Sequence, residues 1–243
     1  MTQYILGIDI GTSGTKAMLL TTSGEVVAQK KDNYSFDTPY PGWAEANALD
    51  WLNAVTSLIR TLASHVDDVD IVAIGIDGLY GGSGIPVDAS GQVIGPALIW
   101  MDRRATKETE EVKKLISKSE LISVTANGAD PYYGYTKLMW LKKNKPNLYA
   151  KTDKFLPPES YVISELTGEI SINYSAAGNL GGVFDINKGS WSPKLIKKLN
   201  LDLDKLPQKF VTSTEPAGYI LKTWAERLVL KTGTPVFNTG VDV

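Results

Sequence analysis

The sequence predicts an α/β fold built on a mixed central sheet. Short apolar strands come first, and later strands alternate with amphipathic helices, which is the order typical of such a fold. The 243 residues are 43% hydrophobic and 21% charged, an ordinary globular composition. A chain of this length can bury a substantial core.

The first three predicted strands form a meander. Residues 4 to 10 are a nearly continuous apolar run with one acid, which is typical of a strand buried on both faces. A tight turn at residues 11–15 leads to a second strand at 16–20, and a turn at 22–25 leads to a third at 26–28.

A helix and a second buried strand follow. Apolar residues recur at helical spacing from Leu49 to Leu62, and Asn47 is the predicted N-cap. Residues 71–77 form an apolar strand that ends, like the first, in an acid followed closely by glycine. A further strand is predicted at residues 96–100.

The remaining pattern alternates between helices and short strands. Helices are predicted at 104–117, 136–144, 159–166 and 193–199, the third ending at Gly168 as its C-cap. Strands are predicted at 170–173, 183–185 and 235–238. No repeat or interdomain linker interrupts this layout.

Composition excludes several classes of chemistry. There are 25 Lys and Arg against 27 Asp and Glu with no basic run, so neither nucleic acid nor an anionic membrane is an expected partner. The chain has no cysteine, and His65, its single histidine, is interpreted as a solvated residue at a helix end. A general base is therefore expected to be a carboxylate. No apolar run approaches the ~20 residues of a membrane span and no signal peptide is visible, so a cytoplasmic location is expected.

The sharpest local feature is the segment Gly7-Ile8-Asp9-Ile10-Gly11-Thr12-Ser13-Gly14-Thr15-Lys16. Glycines allow close backbone approach, and consecutive N–H groups with hydroxyls can surround phosphate oxygens. Asp9 could hold a hydrated Mg²⁺. The alternative is an ordinary glycine-rich hairpin. The spacing is not that of a Walker A loop.

Two further segments carry candidate chemistry. Asp242 follows the last apolar strand, where a carboxylate could accept a proton from a substrate hydroxyl, although an unremarkable terminal acid is the alternative. Trp100, Asp102 and Arg103, with Tyr132 further along, combine aromatic faces and charged edges suited to a sugar or polyol. Taken singly, the tryptophan would more often be core and the arginine surface.

Seven motifs follow one another along essentially the whole chain: GIDIGTSGTKAMLL, PGWAEANALDWLNAV, PALIWMDRRA, DPYYGYTKLMWLKKNKP, SYVISELTGEISINYSAAG, FDINKGSWSPKL and PVFNTGVDV. In this order they resemble the N-terminal domain of the FGGY family of carbohydrate kinases. The resemblance implies a ribonuclease H-like, actin-like ATPase fold and an enzyme, a xylulokinase-like transferase that uses ATP and Mg²⁺.

The resemblance also implies site roles. Asp242 falls on the family's catalytic base and Asp9 on its metal-associated aspartate. The other implied cofactor-binding residues are Gly11, Thr12, Ser13, Thr15 and Lys16, and the implied substrate-binding residues are Tyr80, Ser83, Trp100, Asp102, Arg103 and Tyr132. Phosphoryl transfer suits this inventory, since positioning and charge neutralisation do most of the work.

Two departures from the family pattern bear on function. In the segment 78–83, only Tyr80 and Ser83 offer side-chain hydrogen bonds, so glycerol is not the expected substrate. The sequence also stops one residue after Asp242, where family members continue into an adenine-binding domain. Residues 1–243 are therefore expected to be one N-terminal domain, without that second domain and inactive in isolation.

Two other functions remain open. The chain could be a non-catalytic sugar- or nucleotide-binding fragment on the same fold, or a chaperone-like or filament-forming ATPase that needs no sugar. The expected partner is a small-molecule sugar or polyol, and a homodimer is left open.

Overall fold

The computed structural model of this chain describes residues 2–66, 71–79 and 82–241. In these residues the main sheet has six strands in the order β13-β14-β5-β1-β2-β3. The strands are β1 (Tyr4–Ile10), β2 (Gly14–Thr21), β3 (Val26–Asn33), β4 (Glu45–Ala46), β5 (Ile71–Gly78), β6 (Ile85–Val87), β7 (Ala97–Leu98), β8 (Lys154–Leu156), β9 (Ile172–Asn173), β10 (Phe184–Asp185), β11 (Ser190–Trp191), β12 (Phe210–Val211), β13 (Gly218–Tyr219) and β14 (Pro235–Val241). The helices are α1 (Ala48–Ala63), α2 (Thr106–Leu115), α3 (Lys118–Thr125), α4 (Gly134–Asn144), α5 (Pro146–Lys151), α6 (Pro158–Thr167), α7 (Tyr174–Leu180), α8 (Pro193–Lys198) and α9 (Lys222–Leu228).

The sheet is mixed, as the sequence predicts. β1, β2 and β3 pair antiparallel in succession, which confirms the meander. β5 pairs parallel with β1 on one side and with β14 on the other. Because neighbouring parallel strands end at the same edge, β1, β5 and β14 direct their carboxyl ends to one side of the domain.

α1 covers one face of the sheet. Asn47 accepts a hydrogen bond from Leu49 N at the start of this helix, which confirms the predicted N-cap. Its buried side chains, including Trp51, Val55 and Ile59, pack in one core cluster with the inward side chains of β1, β2 and β5. α6 and α9 contribute to the same cluster.

The opposite face of the sheet remains partly exposed in the described residues, and we call it the open face. Period-two alternation assigns Gly7, Asp9, Lys16, Met18 and Gly75 to this face, while their neighbours in sequence are buried against the helices. Asp9 and Lys16 therefore lie on the same side of the sheet.

A second core cluster lies beside the sheet. It gathers α2, α4, α7 and α8 around fully buried residues such as Tyr135 and Leu195. None of the helices of the described residues is long and apolar enough to cross a membrane.

Several elements differ in extent from the sequence prediction. The helix predicted at 104–117 spans Thr106–Leu115, and the strand predicted at 170–173 is reduced to Ile172–Asn173. α6 ends at Gly168 in the left-handed conformation, as predicted. α7 was not predicted because its seven residues are too few for a helical repeat and include Gly178 and Asn179.

Candidate active site

Three strand ends meet at one edge of the sheet. Asp9 of β1 lies in register with Asp77 of β5, and Gly240 of β14 also lies opposite Asp77. Val241 lies opposite Gly78. Asp242 falls outside the described residues, but the described end of β14 reaches the edge at which Asp9 lies.

The glycine hairpin, residues 9–16, is held tightly at its turn. Gly11 N donates to Gly14 O at 3.1 Å. A Cβ on Gly14 would lie 2.7 Å from Asp32 O, and one on Gly11 would lie 2.9 Å from Gly14 O. Both positions therefore need glycine because backbone from the neighbouring turn or strand occupies the space of a side chain.

Tyr34, the residue after β3, stabilises this hairpin through two hydrogen bonds. Its hydroxyl donates to Gly11 O at 2.7 Å and lies 3.0 Å from Thr15 Oγ1. Since the phenolic proton is used at Gly11, Thr15 donates to Tyr34. Burial raises the pKa of Tyr34 to about 12, so the phenol keeps its proton.

Of the side chains predicted to bind phosphate, Ser13 and Lys16 are exposed to solvent and Thr15 is buried. Lys16 Nζ lies 3.9 Å from Asp9 Oδ2 and is exposed, as is Ser13. Thr15 is fully buried on the opposite face, with its hydroxyl engaged by Tyr34. The prediction that the Thr15 side chain meets phosphate is therefore wrong, because successive residues of a strand point to opposite faces.

The predicted sugar-binding residues form what we call the aromatic wall, made of Trp100, Arg103, Asp130 and Tyr132. The Trp100 and Tyr132 ring centroids are 6.4 Å apart, and Arg103 Cζ lies 5.7 Å from the Tyr132 centroid. Asp130 Oδ1 accepts from Arg103 Nη1 at 2.6 Å and from Tyr132 N at 2.8 Å. One carboxylate thus fixes both the guanidinium and the backbone of the tyrosine.

One hydrogen bond joins the aromatic wall to the glycine hairpin. Trp100 Nε1 donates to Thr12 Oγ1 at 3.0 Å, across a sequence separation of 88 residues. Two features that the sequence suggested separately therefore lie side by side. A ligand that contacts the tryptophan ring would lie next to the hairpin.

Asp102 does not line this site. It is fully buried and accepts from Ala44 N at 2.7 Å, and Arg104 Nη2 lies 2.7 Å from its Oδ2. Arg104 also pairs with Glu45 and stacks on Trp43 at 3.6 Å. The predicted substrate contact of Asp102 is wrong because its lone pairs are used by the protein.

Ser83 also has an internal role. It is fully buried, its hydroxyl donates to Gly84 O at 2.8 Å, and it accepts from Leu98 N at 3.2 Å. These bonds hold the segment after β5 against β7, and the predicted substrate contact of Ser83 is wrong in this structure. Tyr80, the other predicted side chain of this segment, lies outside the described residues.

Glu159 lies directly beneath the end of β5. A Cβ on Gly78 would lie 2.6 Å from Glu159 Oε2, so the carboxyl group occupies the space that this glycine leaves. Burial, with a smaller contribution from the charge of Asp77, raises the pKa of Glu159 to about 8. This carboxyl group is therefore protonated at neutral pH.

A buried amide network fixes the end of β14. Asn173, the N-cap of α7, donates from Nδ2 to Asn238 O at 2.9 Å. Asn238 donates to Ser160 Oγ at 3.2 Å and accepts from Gly240 N at 3.2 Å. The register shifts between Asn238 and Gly240, so Thr239 is an extra residue, and Gly240 has φ 113°.

Sequence reasoning did not identify Glu159, Asn173, Asn238 or Lys137. Lys137 is fully buried in α4, and its only signal was a lysine between the apolar positions of a helix. In the part of the chain that the structure describes, no group of three or more His, Cys, Asp or Glu side chains is arranged to hold a metal. His65 is exposed after the end of α1, as predicted.

Comparison with known proteins identifies the family of this chain. The model of the N-terminal domain of the FGGY family of carbohydrate kinases matches residues 4–243. The xylulose kinase of Lactococcus lactis is 31% identical over 243 residues, covering 98% of this chain and 47% of the relative. The xylulose kinase of Escherichia coli is 32% identical over 238 residues, covering 98% of this chain and 48% of the relative.

The same fold occurs in solved structures. The gluconate kinase of Lactobacillus acidophilus superposes with a TM-score of 0.92 at 23% identity, covering 100% of this chain and 48% of that one. The chain thus spans about half the length of the proteins it matches and has their actin-like ATPase fold. From the family match along nearly its whole length, this chain belongs to the FGGY family of carbohydrate kinases and corresponds to their N-terminal domain.

Proposed function

We propose that this chain is the sugar- and phosphate-binding half of an ATP-dependent kinase that phosphorylates a hydroxyl group of a sugar or polyol. The observation that carries the proposal is the common edge of β1, β5 and β14, where Asp9, Asp77 and the end of β14 lie in register. The aromatic wall adjoins that edge through the Trp100–Thr12 hydrogen bond. Relatives named xylulose kinase and glycerol kinase support a substrate of this class.

The glycine hairpin is proposed to bind the nucleotide phosphates. Its exposed groups include Ser13 and the ammonium of Lys16. Thr12 accepts the hydrogen bond of Trp100. Gly11 and Gly14 allow the backbone of the turn to pack closely. Backbone N–H groups and a lysine at a tight turn attract phosphate oxygens. Their role is to position the phosphates and offset their charge.

Asp9 fits a magnesium ion that accompanies ATP. Its Oδ1 is buried and accepts no hydrogen bond from the described residues, while Lys16 approaches the other oxygen. Mg²⁺ commonly uses one or two carboxylates and keeps several waters, so one such oxygen is a sufficient protein contribution. When bound, the ion would neutralise charge on the transferring phosphoryl group.

Asp242 is proposed as the general base that takes the proton of the attacking hydroxyl. A carboxylate is the expected base because the chain has no cysteine and its single histidine lies after α1. The aromatic wall would hold the sugar, with Trp100 and Tyr132 against its C–H groups and Arg103 at its hydroxyls.

Replacement of the base tests this function. In a protein that joins this chain to a second half like that of its relatives, Asp242→Ala should lower kcat by about 10²–10⁴-fold, the usual contribution of a positioned base. Sugar-dependent ADP formation is the measurement, and the affinity for sugar should change little.

The matched control is Asp204→Ala, which removes an exposed aspartate outside the candidate site. It should retain wild-type turnover. Near-full activity of Asp242→Ala would contradict the assignment of the base. ATP hydrolysis that is equally fast with and without sugar would instead favour a chaperone-like or filament-forming ATPase.

A further inference from the structure

Lys137 holds the loop that carries half of the aromatic wall. It lies in the first turns of α4 and has no exposed surface. Its Nζ donates to Pro131 O at 2.9 Å and also to Tyr132 O. The same ammonium lies 6.0 Å from the Tyr132 ring centroid.

Lys137 belongs to a row of α4 side chains that bind the carbonyl groups of this loop. Tyr135 donates to Gly128 O at 3.1 Å, and Thr136 donates to Tyr133 O at 2.8 Å. Lys137 is the last of these three consecutive residues and the only charged one. Its two acceptors belong to Tyr132 and to the residue before it.

Burial of a lysine at this position is energetically unfavourable. Burial lowers the pKa of Lys137 to about 7. The nearby carboxylates of Asp102 and Asp130 favour the charged form, while Arg103 and Arg104 oppose it. An apolar side chain would avoid the cost of burying an ammonium. The lysine is therefore explained better by the geometry of the loop than by stability.

We infer that Lys137 is a positioning residue for substrate, which sets the place of Tyr132 against Trp100 and Arg103 by holding the carbonyl groups of residues 131 and 132. The inference rests on the proposed function, because it takes the aromatic wall to be the sugar-binding surface. Loss of the ammonium leaves two inward carbonyl groups without this donor, so the loop relaxes and the tyrosine ring moves.

The test compares the 243-residue chain with its Lys137→Met variant, using D-xylulose and xylitol as probes in calorimetric titrations. Lys137→Met should bind them about 10-fold or more weakly, because the sugar must then order a displaced Tyr132 side chain on binding. Its melting temperature should stay within about 5 °C of wild type, because removal of a buried charge offsets the loss of the two hydrogen bonds from Lys137. The exposed Lys107→Met variant is the matched control and should bind like wild type.

A spectroscopic measurement detects a change in the environment of Trp100 in the aromatic wall when no sugar is present. With 5-fluorotryptophan incorporated, the ¹⁹F signal of Trp100, assigned by its loss in Trp100→Phe, should shift in Lys137→Met and stay in place in Lys107→Met. Because the natural chain has no cysteine, Lys137→Cys can be alkylated with 2-bromoethylamine while unfolded and then refolded. The resulting aminoethyl side chain should restore the Trp100 signal and the affinity.

The outcomes separate this inference from the proposed function. An unchanged Trp100 signal and wild-type affinity in Lys137→Met would overturn the positioning role and leave the kinase proposal intact. A shifted signal that aminoethylation restores supports the role of Lys137. Failure of the wild-type chain to bind any sugar would count against the proposed function, and the signal would still decide the position of the wall.

Discussion

At the scale of single residues, burial decides which of the predicted site residues can reach a ligand. Thr15 and Lys16 are neighbours in the predicted phosphate loop, but one is fully buried and the other exposed. Alternation excludes Thr15 only once β2 is known to begin at Gly14, because the sequence pattern had placed residue 15 in a turn. The internal role of Asp102 could not be predicted, because its partner Ala44 is 58 residues away in sequence and reaches it only in the folded chain.

Glu159 gives a prediction at this scale. Its carboxyl group has a pKa near 4.5 when exposed and about 8 in the fold, so the folded state binds a proton that the unfolded state releases between these values. Its contribution to stability is complete below pH 4.5 and is lost as the pH rises through 8. Glu159→Gln should remove this dependence, since the amide cannot ionise.

The measurement is chemical denaturation between pH 5 and pH 9. The free energy of unfolding of wild type should fall relative to Glu159→Gln as the pH rises. Glu25→Gln, which alters an exposed glutamate, should follow wild type. Parallel curves for wild type and Glu159→Gln would show that the carboxyl group titrates normally.

At the scale of elements, most of the fold was predictable from local pattern. The β1–β3 meander, the Asn47 cap and the Gly168 cap rest on periodicity and capping chemistry, and the structure confirms them. Short elements such as α7 were missed because tertiary packing, rather than their own sequence, stabilises them. The bulge in β14 depends on Asn173 and Ser160, which are distant in sequence.

The glycine hairpin gives a prediction at this scale. Gly14→Ala places a Cβ against Asp32 O, so β2 and β3 must separate, which should cost about 1–3 kcal/mol of stability. Thermal or chemical denaturation measures the loss, and binding of inorganic triphosphate should weaken with it. Gly128→Ala, whose Cβ would meet nothing within 4 Å, should be nearly neutral. Equal stability of the two variants would show that the hairpin tolerates a side chain.

At the scale of the molecule, the meeting of β1 and β14 is the feature that supports function. The sequence suggested that the two ends share an edge, and the structure confirms this as far as Val241. The Trp100–Thr12 contact could not be foreseen, because a separation of 88 residues carries no local signal. Asp242 stays a prediction, since the described residues end just before it.

The proposed half-enzyme gives a prediction at this scale. The chain spans about half the length of its relatives, so it should form no ADP in a sugar-dependent way when assayed alone with Mg-ATP. Addition of a second half like that of its relatives, as a separate polypeptide or a fusion, should give sugar-dependent turnover. Robust turnover by the 243 residues alone would contradict the need for a second domain.

The extra residue in β14 has a geometric consequence for everything beyond it. Along a strand, odd-numbered and even-numbered residues face opposite sides of the sheet. One extra residue reverses this assignment for every residue after it. With Thr239 inserted, Val241 pairs with Gly78 and lines a small cavity against Ala176 of α7. If β14 instead continued without the bulge, Gly240 would lie opposite Gly78, and Val241 would turn toward the sheet surface that carries Asp9.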